Sequence, residues 1–417
     1  MEDTRYIDEL CRNAKNASRS IATMLTVKKN ELLNSIAGEL RRECDYIIAE
    51  NGKDVENAEK NGLSPAFIDR LLLNKQRIEG MARSVEEIAI FDDPVGRIEH
   101  MKMRPSGIRV GQMRVPIGVI AVIFESRPNV TTDIAALCLK SGNACILRGG
   151  KESINSNIAL HSILSKSLHN AGVDASAVSM ITRTEHELVS KLLKMNQYID
   201  IVIPRGGETL ISMVTRESTI PVIKHDKGVC HTFIDASADC EIAERVSINA
   251  KVQRPAVCNA METLLIHSAY PKKESLLRAL VEKGVELRGC ERTLRILPGE
   301  IRPASEDDWS AEYGDLILSV KIVDSIDEAM KHITRYGSGH SEAIITSEYA
   351  NSERFLKEVD SAAVFVNAST RFHDGGEFGL GAEVGISTQK LHARGTMGIE
   401  GLTCLKYVIY GSGQIRS

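Results

Sequence analysis

In the stretch VQRPAVCNAMETLLIH, residues 252–267, one cysteine stands between a proline-stiffened turn and an apolar, strand-like run. A thiolate in such a position can attack a carbonyl and form a covalent thioester, provided that it is reachable and that its surroundings favour ionisation. Arg254 lies four residues upstream, and Pro255 and Asn259 mark the segment around Cys258 as a loop. The alternative is packing, because a free cysteine is as often a small buried hydrophobe. Asn129, in SRPNVT, is the candidate amide donor for the oxyanion that such an attack creates, and its alternative is to cap the following helix. His225, His231 and His267 are candidate bases, each with an alternative as a structural hydrogen-bonding group.

Three loops carry a second kind of chemistry. ESRPN (125–129), RGGKES (148–153) and PRGGE (204–208) each follow an apolar run, and two contain Arg-Gly-Gly. Glycine lets a backbone approach an anion, a helix N-terminus offers unpaired N–H groups, and arginine adds a bidentate charge. Arg148, Gly149, Gly150, Gly206 and Gly207 are therefore candidate contacts to the phosphates of a nucleotide cofactor. Tight turns alone would also use glycine. Neither loop has a P-loop or GxGxxG fingerprint, and GLGAEVG (379–385) follows loop sequence rather than a strand.

The elements that must position these residues follow from periodicity. Residues 1 to about 95 carry helix-period patterns, with Pro65 as a helix-start residue. EHMKMRPSGIRVGQMRVP (99–116) alternates around Pro105, Ser106 and Gly107, as in a projecting β-hairpin. From 117, strands and helices alternate through GVIAVIF, ACILR, AVSMIT, IDIVIP and a last expected strand, IPVIKH. A second series from 231 to about 369 repeats that alternation, and the terminal TCLKYVIYG is a strand suited to pair with the hairpin. The expectation is an α/β fold of two doubly wound α/β domains with a β-hairpin and C-terminal arm.

Composition narrows the partners. With 52 Lys and Arg against 56 Asp and Glu, and no long block of one sign, the chain has no electrostatic footprint for nucleic acid. The longest apolar run, IGVIAVIF, is too short to span a bilayer, and the polar, acidic start is unlike a secretory signal, so a cytoplasmic protein is expected. The nine cysteines form no CxxC pair, so neither a zinc site nor a disulfide framework is indicated.

Long segments of the chain, among them GVIAVIFESRPNVTTDIAALCLKSGNACILRGGKE, IPRGGETLI, QRPAVCNAMETLLIH, YGSGHSEAIIT and DSAAVFVNASTRFHDGGEFGLGAEVGISTQKLHARGTMG, resemble the aldehyde dehydrogenase superfamily nearly end to end. The resemblance implies an aldehyde-dehydrogenase-like fold with an NADPH-binding domain over 1–98 and 117–228, a catalytic domain over 229–369, and an oligomerisation arm over 99–116 and 385–417. It implies NADPH-dependent reduction of L-glutamyl 5-phosphate to L-glutamate 5-semialdehyde and phosphate, the second step of proline biosynthesis. Cys258 falls on the family's nucleophile and Asn129 on its oxyanion-hole asparagine. Arg148 sits where hydrolytic relatives keep a cofactor-binding lysine, Gly206 and Gly207 at their nucleotide-binding helix start, and Glu312, in AEYGD, near the glutamate that holds the nicotinamide ribose. Where hydrolytic relatives activate water with a glutamate, this chain reads VIKHDKGVCH, with His225 at roughly that position. An acylating or hydrolytic aldehyde dehydrogenase and a silent scaffold for the glutamate 5-kinase step are the alternatives, and a homo-oligomer, dimer or tetramer, is expected. Arg127, Arg254 and Arg371 are unranked candidates for gripping the substrate's carboxylate.

Overall fold

The computed structural model describes residues 2–224, 227–380 and 382–416. Five helices open the chain: α1 (Glu2–Ile21), α2 (Thr26–Arg42), α3 (Cys44–Lys60), α4 (Pro65–Leu71) and α5 (Lys75–Ile90). The hairpin strands β1 (Ile98–Met103) and β2 (Arg109–Pro116) follow. Next come β3 (Val119–Phe124), α6 (Asn129–Lys140), β4 (Ala144–Arg148), α7 (Ile154–Asn170), β5 (Val178–Met180), α8 (His186–Leu192), β6 (Ile201–Arg205) and α9 (Glu208–Glu217).

The second series holds β7 (Cys230–Ile234), α10 (Cys240–Val252), β8 (Met261–His267), α11 (Lys273–Glu282), β9 (Glu286–Gly289), α12 (Glu291–Leu294) and β10 (Arg302–Pro303). It continues with β11 (Ile317–Val323), α13 (Ile326–Tyr336), β12 (Ser341–Ile345), α14 (Tyr349–Glu358) and β13 (Ala363–Val366). Three short strands close the chain: β14 (Gly385–Ser387), β15 (Gly395–Met397) and β16 (Thr403–Tyr410).

Two compact units divide these elements. The first comprises Met1–Lys224, Gly379–Gly385 and Met397–Ser417, and the second His225–Phe378 and Ile386–Thr396. In the first, a parallel sheet runs in the order β5-β4-β3-β6. Strand β3, VIAVIF, is buried at every residue, as a strand covered on both faces must be. The order reverses at β3, so the loops after β3 and β6 leave side by side from the C-terminal edge, where open α/β sheets bind ligands. The hairpin forms a separate antiparallel sheet, β1-β2-β16, in which β16 pairs along β2 from Thr403 opposite Pro116 to Tyr410 opposite Arg109.

The second unit is a seven-stranded parallel sheet, β10-β9-β11-β8-β7-β12-β13, with its core between the sheet and α10 and α11 on one face and α13 and α14 on the other. The strand expected over IPVIKH does not form, and Val222 makes a single bridge to Val202. Pro221 explains this: its carbonyl accepts from Val202 N (2.9 Å), but it has no N–H with which to extend a ladder.

The start of α7, directly after the RGGKES loop, is pinned from α3. Buried Asp54 accepts from Asn155 N and Nδ2 (3.2 and 2.7 Å) and from Ser156 N and Oγ (2.8 and 2.6 Å). Its neighbour Asn51 donates to Leu71 O and Ser156 Oγ and accepts from Leu73 N. Hydrogen bonds to a charged group contribute roughly 1.5–3 kcal/mol each, and orphaned buried donors cost about as much. Asp54→Ala is therefore expected to destabilise the first unit by roughly 3 kcal/mol, seen as a lowered urea midpoint with an unchanged slope. A midpoint equal to wild type would show that this pin carries no load.

Candidate active site

Loop 125–129 is the hub of the first unit's site. The Glu125 carboxylate accepts from Gly207 N at 2.7 Å, tying it to the start of α9, and Ser126 Oγ donates to Glu152 at 2.7 Å, tying it to the loop after β4. The glycines permit this closeness. A Cβ on Gly149 would lie 2.2 Å from Asn157 Nδ2, on Gly150 2.3 Å from Ser126 Oγ, and on Gly206 2.6 Å from a Glu125 oxygen. The glycines thus do more than make turns: they bring three loops at a sheet's C-terminal edge into contact. The N–H of Gly207 already holds an anionic oxygen, and the bare backbone beside it suits the phosphates of a dinucleotide.

Arg148 ends β4 with its guanidinium buried, donating to Gly149 O (2.6 Å) and Thr184 O (3.1 Å), which shapes the loops after β4 and β5 from within. Asn129 is the first residue of α6 and is exposed. It does not cap that helix: its Nδ2 donates along the helix to Asp133 Oδ2 at 3.0 Å, and Asp133 also accepts from Ser84 Oγ at 3.3 Å. That bond orients the amide while one N–H of the same nitrogen stays available.

In the second unit Cys258 sits half-buried in the loop between α10 and β8, at the N-terminal edge of the parallel sheet. Its backbone is gripped from below. A Cβ on Gly228 would lie 2.1 Å from Cys258 O and 2.6 Å from Cys258 Cα, and the buried Cys230 thiol donates to the same carbonyl at 3.2 Å. The next residue, Asn259, is clamped by residues 370–373. Thr370 Oγ1 donates to Asn259 O (2.7 Å), Asn259 Nδ2 donates to His373 O (3.0 Å), and the Arg371 guanidinium donates to Asn259 Oδ1 and to Gln253 Oε1, the latter at 2.8 Å. Beneath lies a buried relay in which Ser341 Oγ bonds His340 Nδ1 (2.8 Å) and His373 Nδ1 (2.7 Å). Burial pushes His373 down to about 4, so its imidazole stays neutral at physiological pH.

Glu312 is exposed on the loop before β11. That loop is fixed by Tyr313, whose hydroxyl donates to Asp308 Oδ1 (2.7 Å), and by Gly314 N, which donates to Glu262 Oε1 (3.2 Å). Glu262 in turn accepts from Lys251 Nζ at 2.6 Å, both side chains being buried. Burial pushes the Glu262 carboxyl up, against the pull of Lys251. The pair links the end of α10 and the start of β8, the two elements flanking Cys258, to the Glu312 loop.

Two candidate bases are placed elsewhere. His231 is fully buried in β7 with Nδ1 3.0 Å from Glu342 Oε2, and His267 ends β8 at the opposite edge from Cys258, its Nδ1 accepting from Ala269 N (3.0 Å). Both are structural. His225 lies outside the described residues. Sequence reasoning did not find Gly228, Cys230, Ser341 or His373, although VIKHDKGVCH, YGSGHSEAIIT and RFHDGG all contain residues of this kind.

Comparison with known proteins gives the family and the fold. The model of the aldehyde dehydrogenase family matches residues 2–289. The gamma-glutamyl phosphate reductase of Caldanaerobacter subterraneus is 53% identical over 98% of this chain and 99% of its own length, and that of Carboxydothermus hydrogenoformans 54% identical over 98% of each. A crystal structure of gamma-glutamyl phosphate reductase from Thermotoga maritima superposes with a TM-score of 0.96 at 43% identity, covering 99% of this chain and all of that one. An acetylating aldehyde dehydrogenase from Geobacillus thermoglucosidasius, 16% identical with a TM-score of 0.73 over 100% of this chain and 98% of that one, shares the fold. The chain is an oxidoreductase of the aldehyde dehydrogenase family, a family that works with nicotinamide cofactors, and within it belongs to the gamma-glutamyl phosphate reductases.

Proposed function

We propose that the chain reduces L-glutamyl 5-phosphate to L-glutamate 5-semialdehyde with release of phosphate, in proline biosynthesis, using NADPH. The observation that carries the reading is the half-buried Cys258, whose backbone is in tight contact with Gly228, in a chain about half identical to gamma-glutamyl phosphate reductases over nearly their full length. The Cys258 sulfur bonds to C5, the carbonyl carbon of the substrate's side-chain acyl group, the bond from that carbon to the phosphate oxygen breaks, and phosphate leaves, giving a thioester. Arg371 interacts electrostatically with Cys258, and positive charge beside a thiol is an environment that suits a nucleophilic cysteine.

Asn129 Nδ2 and the Cys258 backbone N–H are assigned to the oxyanion, where fixed donors are worth most. Gly149, Gly150, Gly206 and Gly207 are assigned to the cofactor's phosphates, Arg148 to the shape and charge of that pocket, and Glu312 to the nicotinamide ribose. A bound nicotinamide supplies the hydride that the thioester carbonyl accepts. Cys258 then leaves as the thiohemiacetal collapses. The exposed Leu405, Tyr407 and Ile409 of β16 support self-association through the arm.

The direct test is the reverse reaction, NADP reduction by glutamate semialdehyde with and without inorganic phosphate. Strictly phosphate-dependent turnover, abolished in Cys258→Ala, is expected. Phosphate-independent turnover would make the chain a hydrolytic dehydrogenase instead. Gly228→Ala pushes a methyl into the Cys258 backbone and is expected to lower kcat by about 100-fold, the order of loss that a displacement near 1 Å produces, while cofactor binding measured by fluorescence stays as in wild type. A kcat within about threefold of wild type would mean that the loop tolerates the shift.

A further inference from the structure

Among the described residues, neither Arg254 nor Arg371 hydrogen-bonds a carboxylate. The Arg371 guanidinium spans the loop, donating to Gln253 at one end and Asn259 at the other, both neutral amides. Arg254 projects from the same loop, is exposed, and has no hydrogen bond or ion pair among the described residues. The two cations feel each other: burial lowers Arg371's affinity for its proton and the charge of Arg254 lowers it further, with Asp374 only partly opposing. Some other arginines of the second unit are paired with carboxylates, as Arg292 is with Asp324 (2.8 Å) and Arg354 with Asp327 (2.8 Å). A guanidinium left free next to a second one, in the loop that carries a nucleophile, is arranged to receive an anion from outside the chain.

We propose that Arg254 is the substrate-recognition residue, binding an oxyanion group of the substrate, carboxylate or phosphate, with Arg371 behind it as the fixed second charge. This separates Arg254 from Arg371, whose donors are committed to holding the loop. The inference rests on the proposed reaction, whose substrate carries two such anions, the α-carboxylate and the acyl phosphate.

The test is the reverse reaction with wild type, Arg254→Ala and Arg254→Lys, titrating semialdehyde, phosphate and NADP separately. Losing a charge-assisted bidentate contact raises a KM by about 10- to 100-fold. The Ala variant is expected to show such a rise for semialdehyde if the bound group is the carboxylate, or for phosphate if it is the phosphate. The KM for NADP should stay within about twofold, and Lys should restore only part of the loss because it cannot reproduce the planar fork. If the wild type turns over in a phosphate-dependent manner while both KM values of the Ala variant stay within about threefold of it, the assignment of Arg254 falls and the reaction stands. If the wild type shows no phosphate-dependent turnover, the reaction itself fails and this inference with it.

Discussion

A reactive thiol has to be reachable and fixed at once, and backbone contacts can fix it without covering the sulfur. Here the constraint is the contact between Gly228, just ahead of β7, and the Cys258 peptide, with no room for even a methyl group between them. Strand pairing makes the contact possible, since β7 and β8 are neighbours in parallel register and both enter the sheet at this edge. The Cys230 thiol and the Asn259 clamp add direction, and the buried Lys251–Glu262 pair stiffens both flanks. Such a pair is weak evidence for stability, because desolvation offsets most of its attraction. Its worth is in registering α10, β8 and the Glu312 loop to one another.

The first unit solves a different problem by the same means. Its three loops have to come close enough for several backbone groups to face one ligand, and glycine at 149, 150 and 206 removes the Cβ atoms that would keep them apart. Glu125 and Ser126 supply the bonds that hold the cluster, and Asp54 fixes the helix behind it. Rigidity is thus provided where these backbone groups would face a ligand, which limits the entropy lost on binding.

The placement of Cys258 on a loop, of Asn129 at a helix start and of the two Arg-Gly-Gly runs at strand ends was legible in the sequence because each is announced by residue type within a few positions. The alternation of strands and helices was legible for the same reason, as was the pairing of the hairpin with TCLKYVIYG. What escaped is built from distant pieces. Cys230 and His340 are 110 residues apart, and Ser341 and His373 are 32 apart; they meet only through the strand order β7-β12-β13. The same order removes His231 from the list of bases, by placing it against Glu342 inside the sheet. IPVIKH reads as a strand by composition, and only the bonding of Pro221 shows why it is not one. Arg254 and Arg371 could not be ranked from spacing, because what separates them is which donors are already spent.

The central claim is covalent catalysis at Cys258, and its most direct test is to trap the thioester. Enzyme mixed with glutamate semialdehyde and NADP without phosphate, quenched rapidly in acid so that the substrate amine cannot attack the thioester, should yield a glutamyl adduct in peptide mass spectrometry. The adduct is expected on the peptide containing Cys258 and should disappear when phosphate is added before the quench. An adduct on another cysteine, or NADP reduced in the same quench with no adduct on any peptide, would contradict it.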